Sequence, residues 1–496
     1  MRSRSLTLAL LLLSLAGAAG ADDDALGALL AEKSLRGAQI GVAVLDLEAG
    51  STLFESRADR SLIPASNQKL LIAAAALEHW GPTHRFETPV FIDGDLDEQG
   101  VLDGSLWIEG SGDPSLVSES LWKLAEEIRL VGISEIRGGI GVDSSYFDAQ
   151  RFHPDWEPVS ARAYHAPIGA FAVNYSSFRI EVRAAATLGR PAVVSVAPRT
   201  AYLHVDSRVR TESRSGPLKI GVDTLPSGLG DRVLVHGVVS PNGEGKTYWR
   251  AVTRPEGYAA SMLRTQLQAQ GIAVAGTTRS GRVPESARGL LRFQGESVAT
   301  LVQRLSKFSN NFVAEQLTKL LGAAVLGPPG TWEKGAEAIS RWVETSGLPH
   351  RDITVRDGSG LSARNRLSAR ALVGLLARVS ERFEWGPEFL SALPLGGLDG
   401  TLEDRLNGEA IPLRAKTGHL RRVSSLSGYV ETLDGRRLAF AVLINGARSP
   451  ALDVDAALDR FVTRLSQLTL TPPPEPAALD PTRPEEGEEG IPQAPQ

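Results

Sequence analysis

Apolar residues recur along this chain with two periods, and the switches between them divide it into blocks. Residues 26–35 have helical spacing, whereas 39–47 (QIGVAVLDL) is a β-rich run. Gly50 and a second short run at 52–55 complete a predicted hairpin. Pro64 precedes Ser66, and an Ala/Leu-rich stretch to about His79 predicts a helix with Ser66 near its N-terminus. From about residue 87 to 283 the pattern shortens to strands between Gly and Pro turns, among them 105–109, 138–143, 193–196 and 232–238. Two predicted helices, 116–130 and 258–270, punctuate it. Helical spacing then returns at 297–307, 312–324, 332–346 and 368–379. Two strands follow, 424–431 and 438–444, with a turn at Asp434-Gly435, and a last helix covers about 453–465.

A helix-and-strand block therefore opens the chain, is interrupted, and resumes. This predicts an α/β (α+β) fold in which both ends build one antiparallel sheet with helices on its faces, and the middle is an insertion. The expected divisions are 22–86 and 284–470 for the two catalytic parts and 87–283 for the inserted strand-rich region. Residues 1–21 read as a cleavable export signal. Arg2 and Arg4 are basic, 6–15 is almost wholly apolar, and Ala19-Gly20-Ala21 matches an A-x-A cleavage site. That apolar run is shorter than the roughly 20 residues a membrane span needs, so membrane association is expected to be at most peripheral and the location periplasmic. Residues 471–496 are rich in Pro and Glu with few large apolar residues, and are expected to be disordered.

Composition narrows the chemistry. The 496 residues are 42% hydrophobic, enough for two or three cores. A net charge of -5 gives no nucleic-acid footprint. The absence of cysteine removes disulfides, thiolate metal sites and thiol nucleophiles. No cofactor or metal is expected.

Three short patterns stand in order: Ser66-Asn67-Gln68-Lys69, Ser309-Asn310-Asn311 and Lys416-Thr417-Gly418. Ser66 and Lys69 are three residues apart on a predicted helix, so they share a face. Lysine can take a hydroxyl proton only when its pKa falls, through burial or a nearby cation, and Lys416 is a candidate for that cation. A helix N-terminus offers N–H groups to an oxyanion. Ser309 sits at a break between helices, where a cap is the plain alternative. Gly418 allows close backbone approach at a strand edge, and the Lys416 ammonium and Thr417 hydroxyl suit a carboxylate. Single patterns recur elsewhere. Ser120-x-x-Lys123 repeats the first, but inside a predicted helix with no cap or proline before it, and Ser240-Pro241-Asn242 repeats the second in a turn. Gly243-Glu244-Gly245-Lys246-Thr247 lacks the glycine and following helix of a phosphate-binding loop. The ordered trio is the informative signal: parts of a serine acyl-transfer site.

The chain resembles the low-molecular-mass class C penicillin-binding proteins, the D-alanyl-D-alanine carboxypeptidase/endopeptidase type. Beyond the trio, the resemblance rests on Pro64-Ala65-Ser66, on Gly110-Ser111-Gly112-Asp113-Pro114-Ser115-Leu116, on Asp357-Gly358-Ser359-Gly360-Leu361-Ser362 and on Gly397-Leu398-Asp399-Gly400-Thr401-Leu402. It implies a serine β-lactamase/DD-peptidase-like catalytic domain whose extra domains lie between Ser66 and Ser309. It further implies that Ser66 is acylated by a peptidoglycan stem peptide or a β-lactam, with Lys69 as general base. Ser309 would relay a proton to the leaving amine, Asn311 would bind a substrate amide, and Lys416 would support Ser309. Thr417 would bind the terminal carboxylate, and the N–H groups of Ser66 and His419 would form the oxyanion hole. His419 departs from the family, which usually has Thr or Ser there, so its side chain lacks the hydroxyl contact to that carboxylate. A serine β-lactamase shares the trio, and Glu403 to Asn407 fits an E-x-x-x-N string, but nine residues before Lys416 and without a place for so large an insertion. An inactive peptidoglycan-binding protein would not need all three motifs intact.

Overall fold

The computed structural model describes residues 25–156, 158–213, 220–241, 245–349, 353–406 and 411–470. The expected export segment and Pro/Glu-rich tail lie outside them. The hairpin of β1 (Gln39–Asp46) and β2 (Ser51–Ser56) leads through a 3-10 turn, Ala65–Gln68, into helix α1 (Lys69–Trp80). The chain leaves along β3 (Arg85–Leu96) and β4 (Val101–Glu109) and returns on β5 (Arg288–Ser297). It passes directly into α2 (Val298–Lys307), α3 (Asn311–Leu326) and α4 (Trp332–Thr345). Helix α5 (Ala369–Ser380), strands β6 (Leu413–Leu420), β7 (Val423–Glu431) and β8 (Arg437–Asn445), and helix α6 (Ala451–Ser466) complete it.

The two ends of the chain share one antiparallel sheet of order β6-β7-β8-β1-β2. Val42 of β1 faces Val442 of β8, four hundred positions apart. In β8 every residue after Arg437 is buried, because helices cover both faces of the sheet; the strand therefore reads as a continuous apolar run rather than an alternation. On one face α1, α2, α3 and α5 form the larger core, and α6 with Leu26 covers the other. Helix α1 is buried all round from Lys69 to Leu77, which suits its Ala/Leu composition. Expected helix starts coincide with real caps: Ser297 accepts from Thr300 N and Ser368 from Ala371 N. A short helix, Gly386–Ala392, was not legible in the pattern.

Between β3 and β5 the chain builds three further sheets around a separate core. Strand β5 pairs antiparallel with β3, so departure and return lie side by side. This strand-rich region docks on α3. Gln316 Nε2 donates to Gly112 O and Gly169 O at 3.2 and 3.1 Å, and Lys319 Nζ reaches Asp148 Oδ1 at 2.5 Å.

Candidate active site

Ser66 lies on the 3-10 turn ahead of α1, not on the α-helix expected from the sequence. Ala65 adopts a left-handed φ of 48°, which tilts the turn out of helical register. The turn is tied to the sheet from below: Asn67 Nδ2 donates to Ser425 Oγ, which donates to Pro64 O at 2.7 Å. Gly418 pairs with Ser425 across β6 and β7. A Cβ on Gly418 would sit 2.8 Å from Ser66 N and 2.3 Å from Ser425 Oγ, so only glycine lets this strand approach the Ser66 turn.

Lys69 Nζ lies 3.0 Å from Ser66 Oγ, 2.7 Å from Asn311 Oδ1 and 2.6 Å from Ser359 O. The side chain is fully buried, and burial brings its pKa down to about 7, against the opposing pull of the Glu315 and Asp357 charges. The sequence suggested Lys416 as the cation that lowers Lys69. Instead burial dominates at both lysines, and Lys416 is held well below the ordinary lysine range by burial first and by the Lys69 charge second.

Ser309 has a left-handed φ of 52° between α2 and α3. The cap of α3 is Asn310, whose side chain accepts from Val313 N at 3.1 Å. Ser309 is thereby freed from capping, and its Oγ accepts from Lys416 Nζ at 2.9 Å. Lys416 also donates to Thr417 O at 2.8 Å. Asn311 opens α3 with both ends of its carboxamide engaged, Oδ1 by Lys69 and Nδ2 by Tyr164 O at 3.0 Å.

Strand alternation sends Lys416 and Gly418 to one face of β6, and Thr417 and His419 to the other. Thr417 Oγ1 donates to Thr401 Oγ1 at 2.8 Å. His419 Nε2 sits 2.8 and 2.9 Å from the two oxygens of Asp455 on α6. The imidazole of His419 is thus turned toward α6 and paired there. Hydrogen bonds gather Ser66, Lys69 and Asn311 in one cluster and Ser309 with Lys416 in a second, while Gly418 touches the Ser66 turn and Thr417 and His419 line the same strand edge.

Several site residues carried no assigned role in the sequence. Glu315 follows Asn311 by one helical turn, a spacing that puts both on one face of α3. Ser359 and Thr401 stand inside recurrent strings already noted, but the active atom of Ser359 is a backbone carbonyl. Tyr164 and Asp455 gave no signal. A cavity of about 410 Å³ lined by Gln303, Lys307, Phe308, Leu398, Asp399 and Glu403 lies beside Ser309, and Lys307 and Asp399 pair there at 2.5 Å. Glu403 therefore belongs to this cavity wall. The Ser120 reading needs correcting: Ser120 lies in the first turn of the helix Ser118–Leu130, not inside it. Its hydroxyl is used in capping, accepting from Val117 N at 3.3 Å and donating to Ser115 O at 3.4 Å.

The sequence profile of the D-Ala-D-Ala carboxypeptidase 3 (S13) family matches residues 23–465. The chain is 32% identical to the D-alanyl-D-alanine carboxypeptidase of Actinomadura sp. (strain R39), over 95% of this chain and 91% of that protein. It is 24% identical to the D-alanyl-D-alanine carboxypeptidase DacB of Haemophilus influenzae over 84% of this chain and 87% of its relative. The crystal structure of penicillin binding protein 4 (dacB) from Haemophilus influenzae superposes with a TM-score of 0.77 at 24% identity, covering 89% of this chain and 99% of that one.

Proposed function

The chain belongs to the D-Ala-D-Ala carboxypeptidase 3 (S13) family, and from that premise we propose that it releases the terminal D-alanine of peptidoglycan stem peptides through an acyl-enzyme on Ser66. The observation that carries this reading is the set of three partners around Lys69 Nζ. A neutral amine has two N–H donors and one lone pair. Asn311 Oδ1 and Ser359 O can only accept, so they take the two donors. The lone pair is left for the Ser66 hydroxyl proton. A base with a pKa of about 7 is substantially neutral at physiological pH and still basic enough to receive that proton.

The remaining roles follow from who donates to whom. Ser66 Oγ attacks the carbonyl carbon of the penultimate D-alanine as its proton passes to Lys69. The N–H groups of Ser66 and His419 are the proposed donors to the oxyanion. Ser309 Oγ accepts from Lys416, so its own proton is free for the departing amine of D-alanine; the proton taken up by Lys69 restores Ser309, and Lys416 supports that hydroxyl throughout. Water then cleaves the ester by the reverse route. Thr417, whose hydroxyl would turn from Thr401 to the substrate, is the proposed contact for the terminal carboxylate, with His419 at the rim. The same acylation accounts for trapping by β-lactams, whose strained amide stands in for the peptide bond. Residues 87–283 are proposed as an inserted unit that brings Tyr164 to Asn311. A periplasmic location rests on residues 1–21; among the described residues no helix is long and apolar enough to cross a membrane.

Mass spectrometry after exposure to benzylpenicillin tests this directly. One penicilloyl adduct is expected, mapped to Ser66 and lost in Ser66→Ala. An adduct on Ser120, or one that survives Ser66→Ala, refutes the assignment.

A further inference from the structure

Lys69 takes its bearing from a backbone carbonyl, and that carbonyl is held from both sides by buried carboxylates. The carbonyl of Ser359 and the N–H of Gly360 belong to one peptide group. That N–H donates to Asp357 Oδ1 at 2.8 Å while the carbonyl accepts from Lys69 at 2.6 Å. The preceding peptide group is pinned by Glu315, whose Oε1 accepts from Ser359 N at 2.7 Å. Glu315 Oε2 accepts from Trp332 Nε1 at 2.7 Å and from Gly358 N at 3.4 Å. Both carboxylates are fully buried. Gly360 has a φ of 83° and packs against Ala65 O, so the segment is also wedged against the Ser66 turn.

We propose that Glu315 is a positioning residue for the base: it clamps Ser359 so that its carbonyl orients Lys69 toward Ser66. The charge of the same carboxylate favours the protonated form of Lys69. The inference rests on reading Lys69 as the base. Charged groups face this network from every side: Lys69 from α1, Asp357 from the loop before α5, Lys319 from α3 itself, His153 near Asp357, and Lys416 beyond Lys69. Burial, followed by the Asp357 charge, pushes Glu315 up to about 7. Its own charge therefore changes over the pH range in which Lys69 titrates.

The test is the pH profile of Ser66 acylation by benzylpenicillin in the full-length protein, Glu315→Gln and Glu315→Asp, with folding followed by circular dichroism. Glu315→Gln removes a charge that raises Lys69 but is only partly present near pH 7, so the acid-limb midpoint should fall by about half a pH unit. Its amide N–H₂ must also face a donor, so the plateau rate should drop about tenfold. Glu315→Asp keeps the charge but shortens the reach; its midpoint should stay within about 0.3 unit and its plateau should drop. An unmoved midpoint in folded Glu315→Gln overturns the proposal whatever its plateau does. If only Glu315→Asp folds, a wild-type plateau in that variant overturns it. If neither folds, the carboxylate is structural and the proposal falls. Absence of a Ser66 adduct in the wild type would instead defeat the reading of the site itself.

Discussion

Lys69 and Lys319 are both fully buried, on the packed helices α1 and α3, and their pockets differ in one respect that matters. Lys319 is where the strand-rich region docks. Its ammonium is bonded to Asp148 at 2.5 Å and Gln150 O at 2.7 Å and lies 3.8 Å from the centre of the Trp332 ring. Burial lowers its pKa, and a directly bonded carboxylate opposes that shift. Among the described residues Lys69 has no carboxylate in contact; its partners are an amide oxygen, a peptide carbonyl and the Ser66 hydroxyl. Glu315 and Asp357 act on it only from beyond Ser359. Desolvation is common to both lysines. What separates a structural cation from a base is whether the counter-charge touches it, and whether a hydroxyl with a proton to give stands within reach.

The largest expected effect comes from removing the proposed base. Lys69→Ala should slow acylation by roughly 10²–10⁴-fold while the protein remains folded, because a neutral cavity replaces a costly buried amine. Acylation that falls less than about tenfold in the folded variant would mean that another group takes the proton. Lys319→Met should do the opposite, sparing the chemistry and weakening the fold. Breaking a buried pair costs about 3–5 kcal/mol, and Asp148 is a quarter exposed, so about 2–3 kcal/mol is expected in denaturant unfolding. The acylation midpoint should move far less in that variant than in Glu315→Gln, because Lys319 faces Lys69 only through Glu315. A shift as large as that of Glu315→Gln would erase the distinction between the two pockets.

The pH dependence sharpens the same contrast. Acylation should rise with pH through a midpoint near 7, about tenfold per unit below it, as Lys69 loses its proton. Stability should follow a different window. Between about 7 and the ordinary lysine value of 10.5 the unfolded chain holds this proton and the folded chain does not. The Lys69 contribution to stability therefore increases with pH across that interval. A rate profile flat from pH 5 to 8 would contradict a lysine base.

Smaller effects belong to the strand edge. Thr401→Val removes the acceptor of the Thr417 hydroxyl and leaves that proton free for a carboxylate, a change worth about 1 kcal/mol, so KM for a D-Ala-D-Ala peptide should fall roughly fivefold. His419→Thr restores a hydroxyl but frees Asp455 from its imidazole partner. Steady-state rates should show a modest gain, about threefold, on substrates ending in a free carboxylate and less on cross-linked dimers. Equal changes on both substrates would show that this side chain does not read the carboxylate.

The candidate site was legible in the sequence where its proposed roles sit on side chains at fixed spacing. Ser66 and Lys69, Ser309 and Asn311, and Lys416 to His419 each lie within four residues of one another. Less could be read where the working atom is a backbone group. Nothing in the letters of Asp357 to Ser362 says that the carbonyl of Ser359 will meet Lys69, because every residue has a carbonyl and only folding selects one. Tyr164 escaped for a different reason: it reaches Asn311 from the strand-rich region, across 147 positions of sequence. Ser309 could also have been a cap, and only the left-handed turn, with Asn310 capping in its place, separates those readings.

By itself, then, the chain's periodicity determined which segments become helices and strands, and its three short patterns determined the class of chemistry. Local propensity and spacing suffice for both, since they act over one or two turns. The tertiary structure alone set the surroundings that distinguish Lys69, the proposed base, from Lys319. A pKa depends on how much water is excluded and on which charges remain in contact, and those quantities are set by segments far apart in sequence: Ser359 and Asn311 around one lysine, Asp148 and Trp332 around the other.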